Sequence, residues 1–114
     1  MPMQKIKYNQ RMSQIVTHNK TVYLSGQVGA IDEDVAAQTL TCLSKIQALL
    51  EEVGSDKSKI LSATVWLKSM TDFEAMNAVW DKWFDDTIPP ARACGESLLA
   101  HPDLLVEITV IAAE

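Results

Sequence analysis

What this chain lacks narrows its possible roles quickly. No apolar run reaches the ~18 residues that a bilayer-spanning helix needs, so no membrane segment is expected. The stretch Met1 to Tyr8 carries Lys5 and Lys7 but no apolar core, so it does not read as a secretory signal, and the cytosol is the expected compartment. Cysteine is scarce. Cys42 and Cys94 are too few for a disulfide framework, and a reducing compartment disfavours pairing them. There is no CxxC, no HExxH and no His/Cys cluster, so no metal site is expected. Basic residues are outnumbered, 10 against 15 acidic, giving a net charge of −5. With no basic stripe, nucleic acid is a poor partner. Internal repeats, linkers and low-complexity tracts are also missing.

What remains is globular in character: 47% hydrophobic and 22% charged over 114 residues. That suffices for one domain, residues 1–114, around one core. Residues 13–18 and 21–25 read as strands flanking a turn at His18-Asn19-Lys20, where asparagine tolerates positive φ. Gly26 breaks the second of them. Asp32 to Val53 reads as a helix, capped by Asp32 and stopped at Gly54, with Val35, Thr39, Cys42, Leu43, Ile46, Leu49, Leu50 and Val53 on one stripe. Cys42 reads as a small core residue. Ile60 to Lys68 alternates as a strand, with Leu61, Ala63, Val65 and Leu67 on one face. Thr71-x-x-Glu74 has the capping-box form and opens a second helix to about Phe84. Two prolines end the loop that follows. Ala91–Ser97 and Leu105–Ala112 are expected as an antiparallel pair, and a further strand fits near Ile6. The predicted class is α+β, with two helices on one face of a sheet. The other face would carry Trp66 and Ile111, too apolar to stay wet, which implies a closed homo-oligomer packed sheet to sheet.

Residues 90–96, Pro-Ala-Arg-Ala-Cys-Gly-Glu, carry the chemistry. Strand alternation puts Arg92, Cys94 and Glu96 on one face. Glu107 interrupts an otherwise apolar run from Leu104 to Ala113. An arginine fork with a nearby carboxylate suits a small anion that also bears a basic group. Each residue has a plain reading as well. Arg92 can pair structurally with Glu96 or Glu107, Cys94 can be a packed thiol, and Glu107 can be an interface ion-pair residue. Ser25-Gly26 can simply end a strand, and Asn77 can brace a loop. His18 and His101 fall in turns.

With these residues in view, the chain resembles the RidA/YjgF family of enamine/imine deaminases, also described as the endoribonuclease L-PSP family. The resemblance rests on Val22-Tyr23-Leu24-Ser25-Gly26-Gln27, Ala36-Ala37-Gln38, Thr64-Val65-Trp66-Leu67 and Phe73-x-x-Met76-Asn77. It continues in Pro90-Ala91-Arg92-Ala93-Cys94 and Val106-Glu107-Ile108, which spans nearly the whole length. It implies a chorismate-mutase-like α+β fold and a homotrimer with ligand clefts between neighbouring subunits. It implies that Arg92 clamps the carboxylate of a 2-imino or 2-keto acid, while Glu107 and the backbone at Cys94 hold a water. Gly26 would offer a backbone amide, and Ser25 and Asn77 match cleft or cleft-support positions. The place of a cleft-wall tyrosine in archetypal members falls on Met12. Gly95 stands where they carry an aliphatic residue, a change that suggests a bulge re-aiming Glu96.

The activity so implied is hydrolysis of reactive 2-enamine and 2-imino acids to 2-keto acids and ammonia, with no cofactor or metal required. General acid–base help of the kind a carboxylate gives is worth ~10²–10⁴ in rate. The alternative is a non-catalytic binder of small carboxylates, using the same arginine without an activated water. A ribonuclease, an activity sometimes attributed to relatives, fits poorly with the acidic charge and the absence of paired histidines.

Overall fold

The computed structural model describes residues 2–114. Strand β1 (Gln4–Tyr8) pairs antiparallel with β2 (Ser13–His18), which turns tightly into β3 (Thr21–Leu24). Asn19 and Lys20 have φ of 51° and 62°, the left-handed pair that a two-residue hairpin turn demands. After Gly26 the chain adds a short strand, β4 (Gln27–Val28), and then enters helix α1 (Val35–Glu52).

The cap of α1 is Asp34, not the expected Asp32: its side chain accepts from the Ala37 amide at 2.9 Å. Residues 30–33 are held in a separate turn, in which the Glu33 amide bonds to the Ala30 carbonyl at 3.2 Å, so the helix cannot start earlier. At the other end Gly54 takes φ 77°, and the Ser55 and Gly54 amides reach back to the carbonyls of Leu50 and Glu51. That is the Schellman arrangement.

Strand β5 (Ile60–Leu67) follows, then a 3-10 turn (Met70–Asp72) leading into α2 (Phe73–Trp83). The capping box at Thr71 does not form. Ser69 caps the 3-10 turn instead, and its hydroxyl and that of Thr71 bond to each other at 2.8 Å. The alternation expected in β5 also slips. A bulge between Ile60 and Ser62 turns Ile60 inward and leaves Leu61 53% exposed.

The largest departure concerns β6 (Ala91–Glu96) and β7 (Val106–Ala113), which do not pair with each other. β6 runs parallel to β5 in unbroken register from Ser62↔Ala91 to Leu67↔Glu96, and β7 lies antiparallel on the other flank of β5. The order is β1-β2-β3-β7-β5-β6, with β4 also on β7. The physical reason lies in the side chains. β7 buries every second residue, as a central strand must, whereas Ala-Arg-Ala-Cys-Gly-Glu offers little to bury and goes to the edge. Helix α2 supplies the crossover that a parallel partner requires.

Both helices pack on one face of this mixed sheet. There Val22, Val65, Leu67, Val106, Ile108 and Val110 meet the stripe of α1 and the Met76–Trp80–Phe84 side of α2. The opposite face carries Tyr23, Trp66, Glu107 and Ile111, with Tyr23 and Trp66 both exposed.

Candidate functional site

Arg92 lies on the edge strand and turns its side chain under α2. Its Nη1 donates to the Asn77 side-chain oxygen at 2.9 Å, and the Met76 sulfur lies 3.9 Å away. The guanidinium carbon stands 5.0 Å from the Trp80 ring and 5.9 Å from that of Phe73. The Asn77 contact is to a neutral group, and the rings offer their negative faces to the cation. Among the described residues the ion pairs are Lys7–Glu52 at 3.3 Å and Lys57–Asp86 at 3.0 Å. Arg92 is in neither, so within the chain it pairs with neither Glu96 nor Glu107. Glu96 is engaged elsewhere, accepting from the Met70 amide at 3.0 Å. A half-buried guanidinium with one nitrogen fixed and no carboxylate partner is equipped to take an anion.

Cys94 is two residues further along the same strand and half-buried. Burial raises its thiol pKa above the ordinary value, while Arg92 pulls it down less strongly. The thiol therefore stays protonated near neutrality and is not a ready nucleophile. Cys42 is fully buried on the inner face of α1, its sulfur 3.2 Å from the Gln27 carbonyl, and desolvation pushes its pKa up to about 12.

Glu107 occupies the open face of β7, level with Val28 on β4 and Trp66 on β5. It packs against Gly26 so tightly that a Cβ there would lie 2.3 Å from its Oε2 and 2.8 Å from its Cδ. A side chain there would have to push the acid aside. Among the described residues no donor reaches the Glu107 carboxylate. Ser25 does not face this carboxylate. Its hydroxyl donates to Gln14 Oε1 at 2.8 Å and accepts from Gln27 Nε2 at 3.1 Å, and Gln27 also bonds to Gln14 at 2.9 Å. This polar knot fixes the chain on either side of Gly26.

Met12 sits in the turn before β2, 41% exposed, its amide bonded to the Asn9 side chain at 2.9 Å. Because β2 begins beside the end of β3, Met12 lies at the same end of the sheet as Gly26. The bulge expected at Gly95 is absent, since the β5–β6 register runs through it unbroken. His18 and His101 flank opposite ends of β7, roughly 25 Å apart at strand rise, and form no pair.

The candidate residues thus form two groups, not one. Arg92, Asn77 and Cys94 sit at the sheet edge on the helix side, whereas Gly26 and Glu107 sit on the open side. Arg92 is level with Val110 through Ala63, so Glu107 is three residues along and two strands across. That is about 10 Å in each direction, with the sheet between them. One small ligand cannot touch both groups within a single protomer.

The family model described as Endoribonuclease L-PSP matches residues 3–114. The chain belongs to this family. A RutC family protein of Haemophilus influenzae is 40% identical over 114 residues, 98% of each chain, and the RutC family protein YoaB of Escherichia coli is 40% identical over 113 residues, 99% of each. A YjgF family protein of Neisseria meningitidis has a TM-score of 0.96 at 39% identity, covering 100% of this chain and 96% of its own. YyfA of Yersinia pestis, described as a protein of unknown function of the Rid family, gives 0.87 at 30% identity over 94% and 90% of the two chains. The α+β architecture of this YjgF/RutC chain, a mixed sheet backed by two helices, is that of the solved members.

Two supports of the site were not legible beforehand. Gln38, fully buried, donates to the carbonyls of Glu33 and Asp103 at 3.0 Å each and accepts from the Leu105 amide at 2.8 Å. It ties the start of α1 to the segment that feeds Glu107 into β7. Its place beside Val35, Thr39 and Cys42 on the apolar stripe is the signal that marks it. The seat of Arg92 on Trp80 has only helical spacing from Asn77 and Met76 as its trace.

Proposed function

We propose that this protein hydrolyses reactive 2-imino acids, and the enamines that tautomerise to them, to 2-keto acids and ammonia. The cleft would be completed between neighbouring protomers of a homotrimer. The observation that carries this reading is the unpaired guanidinium of Arg92, half-buried at a sheet edge and held by Asn77. It can bind a carboxylate through two parallel hydrogen bonds, which also fixes the orientation of the adjacent C=N.

Glu107 of a neighbouring protomer, with the backbone at Cys94, would place a water against the imine carbon. The water oxygen bonds to that carbon as the C=N π pair moves to nitrogen. The carboxylate takes one water proton and returns it to nitrogen, giving the carbinolamine; it then takes the carbinolamine hydroxyl proton and passes it to the amino nitrogen as the C–N bond breaks, so ammonia departs and C=O remains. Water supplies the only added atoms, and no electron acceptor is needed. The protonated thiol of Cys94 takes no covalent part.

The endoribonuclease in the family description is not favoured for this chain, whose net charge is −5 and whose histidines are far apart. A carboxylate binder without turnover is separated by experiment. Imines are generated in situ from several amino acids and the surviving imine is trapped with semicarbazide. Arg92→Ala should assemble normally and lose all acceleration, and Glu107→Gln should keep keto-acid binding but not turnover. An unchanged rate in Arg92→Ala overturns the reading. Binding without turnover by the native protein leaves it a carboxylate binder.

A further inference from the structure

Trp66 is a large aromatic side chain on the open face of β5, 39% exposed, and the chemistry above gives it no part. Its cross-strand neighbours are Glu107 on β7 and Gly95 on β6. A Cβ on Gly95 would stand 3.0 Å from Trp66 Cζ3 and 3.5 Å from Cε3. The benzo ring therefore packs against the bare backbone of Gly95, and the side chain stays part exposed. Ala93 and Ala91, on the same face of β6, add little height, so the ring stands clear of them beside the Glu107 position.

Resting on the deaminase reading above, we infer that Trp66, seated on Gly95, is the specificity-determining wall of the cleft and favours 2-imino acids with flat aromatic side chains. The imine carbon carries three substituents. The carboxylate goes to Arg92, and the nitrogen and attacking water belong to the Glu107 side. The third, the side chain, must leave along the open face next to Glu107. Toward β4 lies Gly26, which has no side chain to offer a contact. Toward β5 the substrate side chain meets the indole, since directly opposed cross-strand residues have Cβ atoms about 5 Å apart. Offset stacking on an indole rewards a planar ring and gives little to a methyl group. Met12, in the turn before β2, leaves Trp66 as the aromatic of the open face beside the acid.

The test measures kcat/KM for two imines made in situ, one from phenylalanine and one from alanine, on native protein, Trp66→Ala, Gly95→Ala and Gly95→Ala/Trp66→Phe. The phenylalanine-to-alanine ratio should fall about tenfold in Trp66→Ala. It should fall less in Gly95→Ala, whose new methyl lifts the ring, and recover in the double variant, which lacks the clashing ring atoms. A purely structural tryptophan would move both substrates together and leave the ratio alone. Fluorescence gives a second readout, because 2-oxo-3-phenylpropanoate should quench the native protein at lower concentration than 2-oxopropanoate and lose that advantage in Trp66→Ala. If both imines turn over and the ratio stays within twofold in Trp66→Ala, this inference is overturned while the deaminase stands. If neither imine turns over in native protein, the deaminase reading falls and takes this inference with it.

Discussion

The side chains of this site are set by what holds them. Asn77 fixes one nitrogen of Arg92 without neutralising it. Asn77→Ala should leave the fold intact and raise KM for carboxylate-bearing imines roughly tenfold, the worth of one charge-assisted hydrogen bond, as steady-state kinetics would show. Gly26→Ala places a methyl where the Glu107 carboxylate now lies, so the flexible acid swings aside, and kcat should fall while Tm changes little. The two thiols should differ as well. Iodoacetamide should label Cys94 and spare buried Cys42 in native protein, read by mass spectrometry. Cys42 keeps its proton up to about 12 when folded and releases it near 9 when unfolded. Its stabilisation is whole below about pH 9 and is lost as pH rises toward 12, with a slope near 1.4 kcal/mol per pH unit. Denaturant titrations should show that slope in native protein and a flatter one in Cys42→Ala. Arg92, Glu107 and Cys94 stand out in sequence because charge or thiol interrupts a strand pattern. That Ser25 faces Gln14 and Gln27 instead of the acid was not legible there, because a serine before a glycine has the same appearance in either role.

At the scale of elements, the turns and caps govern where the site residues land. Gln38 satisfies three backbone groups that no other side chain reaches. Gln38→Leu should cost about 2–4 kcal/mol, since buried partners are left unsatisfied. It should also loosen the segment before β7, seen as faster amide exchange at Leu105. Gly54→Ala, at φ 77°, should cost about 1 kcal/mol by the same denaturation assay. Periodicity located both helices and six of the strands to within a few residues. It misplaced the partner of β6, because alternation reports which face a residue takes and not which strand lies beside it. It also missed the bulge at Leu61, which inserts a residue without any change in composition.

For the whole molecule, the placement of the two groups decides the account. Arg92 and Glu107 are on opposite sides of one sheet, and a single chain cannot bring them to one small substrate. The open face with Tyr23 and Ile111 is apolar enough to be covered by another copy, and the proposed site requires a ring in which one protomer's β6 edge lies near its neighbour's Glu107. The spacing of these residues in sequence suggested a shared seat, and only the register places them on opposite faces. The direct measurement mixes two inactive variants. Arg92→Ala and Glu107→Gln are each purified, dissociated together, reassembled at equal ratio and assayed with trapped imines. A site drawing its arginine from one protomer and its acid from the next should be intact in about a quarter of random pairings, so about a quarter of native activity should return. Reassembled oligomers as inactive as either parent would contradict the shared cleft.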